Sequence, residues 1–258
     1  MAVLKKYYPM SLAKMGAVFG LIGGLIAGLL ISVLFSVFGG VLASFGAANL
    51  PNTGSLSLIA LVVAIVGGAI FGFVFGFLSA VIYNFAASKV GGIRFDLVGK
   101  PSVMKNVVPM SYAKVNAVVF AIFGAIYGII LGLVTGSAVG AVIGIVIGIV
   151  AGVIGGFIIG FIGALLYNFL ANAIGGIVLE IAGTPQTVKR VGAVSYAKIA
   201  ACIEAIVYFI QGIFTGSILG IVIATVIGAV LGFVVGAICV LLYNFIASKI
   251  GGVQIDLS

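Results

Sequence analysis

The sequence predicts an all-α transmembrane bundle: six helices in three two-helix repeats about a pseudo-threefold axis, with a small cytoplasmic β layer of short strands and hairpins. Three observations predict it. Of the 258 residues, 64% are hydrophobic and only 6% charged, more apolar surface than a soluble domain of this length can bury. Uncharged apolar runs longer than about 18 residues recur along the chain, and runs of that length read as membrane helices. Two framing patterns each occur three times, in the same order. Membrane β-strands would alternate polar and apolar residues, whereas these runs are apolar all round, so the spans are helical.

The first pattern is "PMSLAK" at Pro9–Lys14, "PMSYAK" at Pro109–Lys114 and "AVSYAK" at Ala193–Lys198. The second is "YNFAASKVGGIRFDL" from Tyr83, "YNFLANAIGGIVLEI" from Tyr167 and "YNFIASKIGGVQIDL" from Tyr243. They divide the chain into repeats at 1–99, 100–183 and 184–258.

Each repeat opens on a short strand: Val3 to Tyr8, Val103 to Val108, Thr187 to Gly192. A serine follows where a helix N-cap is expected, at Ser11, Ser111 and Ser195, its oxygen placed to accept from a free backbone N–H. An apolar helix comes next. Lys5 and Lys6 ahead of the first one resemble the start of a signal peptide, but the run from Gly16 to Phe38 is too long for that and recurs later, so it reads as a spanning helix. An uncharged loop then leads to a second apolar helix that carries Tyr-Asn-Phe near its end: Gly39 to Ser57 in the first repeat, tight turns near Thr135 to Ser137 and Thr215 to Ser217 in the others. The pairs Gly91-Gly92, Gly175-Gly176 and Gly251-Gly252 are predicted to stop that helix with a left-handed C-cap. A second strand closes the repeat, as where Ile93, Phe95 and Leu97 alternate with Arg94 and Asp96. The repeats join through Gly-x-Pro turns, so each joint reads as a hairpin. By that logic Val253 to Leu257 lacks a partner unless it pairs antiparallel with Val3 to Tyr8, closing the layer.

Inside the helices glycine recurs every four residues, most regularly at Gly140, Gly144, Gly148, Gly152, Gly156 and Gly160. Lipid supplies no hydrophobic drive between helices, and small residues let backbones approach. The stripe therefore reads as a packing surface, although pore linings and rotor rings use similar stripes. Each step of four overshoots a turn by about 40°, a drift of roughly 200° from first to last, which predicts different neighbours at different depths.

Twelve Lys and Arg against four Asp and Glu give a net charge of +8. Every basic residue lies in the strands, the joints or the adjoining helix turns, and none in the three loops at the other helix ends. The positive-inside rule assigns the basic side to the cytoplasm, with both termini there, in a multi-pass protein of the cytoplasmic membrane. Lys5, Lys14, Lys105, Lys114, Lys189 and Lys198 form the basic cytoplasmic face. Topology thus accounts for the charge, and nucleic acid is not an expected partner.

Few residues stand out as candidate sites. Asn84, Asn168 and Asn244 continue the small-residue stripe, so they face protein. They read either as a polar ring at a cytoplasmic mouth or, preferably, as amides bonded to the neighbouring helix start near Ser11, Ser111 or Ser195. The adjoining Tyr83, Tyr167 and Tyr243 fit the interface belt. Glu204 sits inside an apolar helix where the other repeats have Gly20 and Phe120, with Tyr208 and Gln211 following at helical spacing. An intramembrane acid is a functional candidate; its place about two and a half turns after Ser195 also puts Lys198 or water within expected reach. Cys202 and Cys239 lie in apolar helices and read as core fillers rather than a disulfide or metal site.

A strand, then P-x-S-x-x-K opening a membrane helix, then a helix ending Y-N-x-x-A-x-x-x-G-G before another strand, resembles a family of small actinobacterial and archaeal transmembrane domains of unknown function. The matching residues are Pro9, Ser11, Lys14, Pro109, Ser111, Lys114, Ser195, Lys198 and the three YNF…GG segments. Ala193 replaces the proline in the third copy, and Ala173 stands in the second where the others have Lys89 and Lys249. The resemblance implies the strand–helix–helix–strand unit and no activity.

The chain contains no His, no Walker-type glycine loop and no paired acids on one helix, so an enzyme is not expected, nor any cofactor or metal. The expected function is a structural, scaffolding or complex-subunit membrane protein. Its expected partners are the bilayer, anionic lipid head groups or another membrane protein; a dry axis with an exposed strand edge would favour this reading, a continuous polar path along the axis transport. The alternative is a pseudo-threefold channel or transporter with an axial pathway. Parallel two-span repeats and helices without a clear mid-membrane break do not favour it.

Overall fold

The computed structural model describes residues 1–44 and 53–258. In chain order the elements are β1 (Ala2–Tyr7), α1 (Pro9–Ser44), α2 (Thr53–Val90), β2 (Ile93–Val98), β3 (Ser102–Val107), α3 (Pro109–Thr135), α4 (Ala138–Ile174), β4 (Ile177–Ala182), β5 (Gln186–Val191), α5 (Ala193–Ile213), α6 (Ile218–Ile250) and β6 (Val253–Leu257). All six helices are long and apolar enough to cross a membrane, and the chain is a multi-pass membrane protein. Of the loop expected at Gly39 to Ser57, the residues up to Ser44 belong to α1 and those from Thr53 to α2; residues 45–52 lie outside the described residues.

Local chemistry sets the helix ends. Pro9 and Pro109 occupy the first helical positions, where a missing N–H costs nothing. Val108 is extended (φ −70°, ψ 110°), as a residue before proline must be. The serines expected as N-caps there lie inside the helices, two residues past the proline or its alanine replacement. The serines that do cap are Ser137 and Ser217 in the far turns, accepting from Gly140 N at 2.9 Å and Gly220 N at 3.3 Å. The C-terminal glycines also differ from expectation. Gly175 (φ 91°, ψ 146°) and Gly251 (φ 86°, ψ 150°) are extended with positive φ rather than left-handed helical, a region open only to glycine.

The chain divides into two compact units: Met1–Tyr8 with Val81–Ser258, and Pro9–Ala80. The larger unit holds all six strands, in a closed antiparallel barrel ordered β1-β2-β3-β4-β5-β6. The barrel replaces the open layer that the two joints alone would make, because β1 also pairs with β2, β3 with β4 and β5 with β6. Closure runs through the chain ends. β1 pairs antiparallel with β6, and Val3 and Ser258 exchange backbone hydrogen bonds of 2.8 and 3.1 Å. Directly opposed residues share a face. Leu4, Phe95, Val107, Val253 and Ile255 are buried on the apolar face, and Arg94, Glu180, Arg190 and Asp256 are exposed on the other. Eight strands leave an interior just wide enough for side chains to fill, so six enclose a solid core.

Three register shifts interrupt the ladder. Leu4 and Lys6 face Leu257 and Asp256; Met104 and Asn106 face Leu97 and Asp96; Val188 and Arg190 face Ile181 and Glu180. In each case one residue is extra, a β-bulge at Lys5, Lys105 or Lys189. All three lysines are exposed. The residue after each bulge faces an acid, and Asp96, Glu180 and Asp256 are every acid in the chain but Glu204.

In the smaller unit α1 and α2 meet through glycine: a methyl added to Gly16 would strike Gly72 O, and one added to Gly20 would strike Gly68 O. In the larger unit α3 packs on α4 and α5 on α6 in the same way. Gly148 lies against Gly124, Gly152 against Phe120, Gly156 against Asn116 and Gly160 against Ala113. The stripe from Gly144 to Gly160 therefore follows one partner throughout, not several. Its drift of about 160° over that length is taken up by the two helices wrapping around each other. Gly140 instead meets Ser137 and Thr135 of its own turn, and Gly155 and Gly163 meet nothing.

Candidate functional site

Where the helices reach the barrel, each first strand of a pair outruns its neighbour. β2 begins at Ile93, which pairs with Leu4, so β1 from Lys5 to Tyr7 has no β2 residue beside it. β4 begins at Ile177 opposite Met104, and β6 at Val253 opposite Val188. Unpaired backbone groups away from water are costly. The last turns of α2, α4 and α6 supply the missing partners.

Tyr83 Oη donates to Leu4 O at 2.6 Å, Tyr167 Oη to Met104 O at 2.6 Å and Tyr243 Oη to Val188 O at 2.6 Å. The same hydroxyls accept from the opposite strand: Ile177 N and Val253 N each donate at 3.2 Å, and the Ile93 backbone bonds Tyr83. Each phenol is thus a one-atom bridge inserted where the ladder opens. One residue on, the asparagine replaces a strand. Asn84 Oδ1 accepts from Tyr7 N and its Nδ2 donates to Tyr7 O, both at 2.8 Å. Asn168 does the same to Val107 at 2.7 and 2.8 Å, and Asn244 to Val191 at 2.8 Å twice.

Of the two sequence readings of these asparagines, the geometry follows the second, an amide bonded beside the neighbouring helix start, with the partner on the strand end rather than in the helix. The amides are spent on the last residue of a strand, just ahead of the helix start. The glycine pair completes the arrangement. The first glycine supplies the positive φ, and the second leaves room for a strand carbonyl, since a methyl on Gly92, Gly176 or Gly252 would strike Leu4 O, Met104 O or Val188 O. Those are the carbonyls the tyrosines bond.

Ser111 and Ser195 have a different task from capping. Ser111 Oγ accepts from Arg94 N at 3.0 Å and donates to Val108 O at 2.8 Å; Ser195 Oγ accepts from Val178 N at 3.0 Å and donates to Gly192 O at 2.9 Å. Each ties a second strand to the next helix. Ser11 is likewise inside α1, not ahead of it.

Phenols gather at this end of the barrel. Tyr7 stacks edge-on against Tyr83, centroids 4.7 Å apart. The Tyr7 hydroxyl is hemmed in by protein although the residue keeps some surface. Burial, reinforced by the neighbouring phenols of Tyr112 and Tyr243, pushes its pKa up to about 12.

The remaining candidates lie apart from this cluster. Lys14, Lys114 and Lys198 are exposed in the second turns of their helices. Glu204 is half-buried eleven residues into α5 and makes no ion pair with Lys198. Six residues advance a helix by about 240°, which puts the two on different faces. Gln211 is exposed near the end of α5. Cys202 and Cys239 are free, the second exposed rather than in a core. A half-open groove beside the barrel is lined by Glu180, Arg190, Gly192, Leu241 and Asn244. Sequence reasoning missed the bulges and the tyrosine bridges. The tyrosines recur with the asparagines and carry that signal; the bulges leave none beyond the recurring Lys5, Lys105 and Lys189.

No protein-family model, no curated protein and no solved structure matches the chain.

Proposed function

We propose that the protein is a non-enzymatic structural subunit of the cytoplasmic membrane: three tandem strand–helix–helix–strand units about a pseudo-threefold axis, both termini in the cytoplasm. The observation that carries this reading is the closed barrel with a filled apolar core, whose strand ends are tied to three helices by Tyr83–Asn84, Tyr167–Asn168 and Tyr243–Asn244. Those side chains are consumed in holding the fold, which argues for a rigid platform. A closed barrel has no free strand edge. Partners therefore meet its exposed side chains, not its backbone, and the exposed strand edge expected to favour scaffolding is not found in the barrel.

In the larger unit the exposed bulge lysines Lys5, Lys105 and Lys189, with Lys114 and Lys198 in the second turns of their helices, supply positive charge suited to anionic head groups. The likeness of the P-x-S-x-x-K and Y-N…G-G patterns to small transmembrane domains of unknown function agrees with this reading. Reconstitution into vesicles tests it. The protein is expected to add no flux of potassium, sodium or chloride over empty vesicles. Flux that scales with protein copy number would establish a channel or transporter instead.

A further inference from the structure

We propose that α5 presents, around Glu204, a docking face for a partner transmembrane helix that carries a lysine or arginine at hydrocarbon depth. This rests on the reading of the protein as a subunit of a membrane assembly. α5 is the shortest helix, 21 residues or about 32 Å, close to the roughly 30 Å of a bilayer core. Glu204 lies about 16 Å from its start, near the middle. The carboxylate makes no hydrogen bond or ion pair with any described residue. Within the larger unit no basic residue lies at that depth: Lys114 and Lys198 are in second helix turns, Lys89 and Lys249 in last turns, and the others outside the helices.

α6 offers Glu204 no polar group either. The facing residues are Gly228 and Gly232; a methyl on Gly232 would lie 2.8 Å from Glu204 Cβ. The hydroxyl of Thr225 is engaged by Ile221 O at 2.7 Å. The close α5–α6 seam therefore leaves Glu204 half-buried with no polar side chain of α6 at the glycines it faces.

Polar residues continue along the helix at the spacing of one face. Tyr208 follows at four residues and Gln211 at seven, the first half-buried and the second exposed. α5 is also the least apolar span, with a mean hydropathy of 1.7 against 2.5 to 2.8 for the others. A single negative charge on an otherwise polar-neutral stripe is complementary to one cationic side chain from another helix. Intramembrane acids pair in this way or line water-filled cavities.

The probe is a leucine–alanine transmembrane peptide with one central lysine, against the same peptide with leucine there. Both are titrated in phosphatidylcholine vesicles against the full-length protein labelled with a fluorescent donor. The lysine peptide is expected to bind about tenfold more tightly than the leucine peptide. Glu204→Gln keeps the shape and should abolish that preference, whereas Glu204→Asp should retain most of it. Unchanged thermal stability of Glu204→Gln confirms that the loss is not one of folding. Equal binding of the two peptides, or a preference that survives Glu204→Gln, overturns the proposal. So does rapid modification of Glu204→Cys by a charged, membrane-impermeant reagent, because that places the residue in water. The ion-flux measurement stands apart from these outcomes. A null peptide result with no flux removes this docking face and leaves the structural reading intact.

Discussion

The tyrosine–asparagine pair does work at the residue scale that neither residue type announces. Asn168 answers both backbone groups of Val107, and Tyr167 joins Met104 O to Ile177 N. An unsatisfied buried group costs about 1–3 kcal/mol. Tyr167→Phe is accordingly expected to destabilise by roughly that amount, and Asn168→Ala by about twice as much, since it orphans a donor and an acceptor. Chemical unfolding in detergent measures both. Tyr127→Phe, on a tyrosine 65% exposed, is the control and should be near neutral.

Tyr7 adds a pH signature. Its folded pKa of about 12 lies above the unfolded value of 10.0, so the folded state favours the neutral phenol. That contribution is complete below pH 10 and disappears as pH rises towards 12. It amounts to on the order of 2 kcal/mol. The difference in stability between wild type and Tyr7→Phe should be flat up to about pH 10 and shrink above it; a difference independent of pH would contradict the assignment. The sequence made the asparagines legible as protein-facing, through their place on the four-residue stripe. It placed their partner near the next helix start but could not single out the strand-end residue, because which strand ends short depends on pairing between segments about 60 to 80 residues apart, as for Asn168 with Val107 and Asn84 with Tyr7. The serine reading failed for a local reason: proline fixes the helix start two residues earlier, at Pro9 and Pro109.

Helix pairs are the next scale. The four-residue glycine spacing was legible as a packing surface, but the number of partners was not. A straight-helix projection sends Gly144 and Gly160 to different sides, whereas wrapped helices keep both on α3. The structure separates glycines that need to be glycine from those that do not. Gly148→Leu and Gly152→Leu would drive side chains into the backbones at Gly124 and Phe120. Each is expected to lower the melting temperature in detergent, at a cost of about 1–3 kcal/mol or more. Gly155, one residue short of the seam position Gly156, meets nothing within 4 Å. Gly155→Ala should be neutral or stabilise by up to about 1 kcal/mol through helix propensity. Equal effects at Gly152 and Gly155 would mean that the seam is wrongly placed.

For the whole molecule, the feature most plainly written in the sequence was the most remote contact. Two Gly-x-Pro joints and a third pair of strands with the same grammar implied that the chain ends meet, and β1 lies antiparallel to β6. What the sequence concealed was the degree of closure. The bulges at Lys5, Lys105 and Lys189 look like ordinary alternation when each strand is read alone, yet bulges bend and twist strands, as a small barrel requires. The barrel closes without a covalent joint, so its integrity rests on the β1–β6 pairing. Lys6 stands directly opposite Asp256. Opposed residues in antiparallel strands have Cα atoms about 4.5–5.5 Å apart, within disulfide range.

The decisive measurement is oxidation of Lys6→Cys/Asp256→Cys in a background with Cys202 and Cys239 replaced by serine, followed by cleavage at a protease site placed in the turn before Pro185. A closed barrel predicts that the two halves of a single monomer stay joined until a reductant is added. Halves that separate without reductant, or cysteines that link only between molecules, would contradict it.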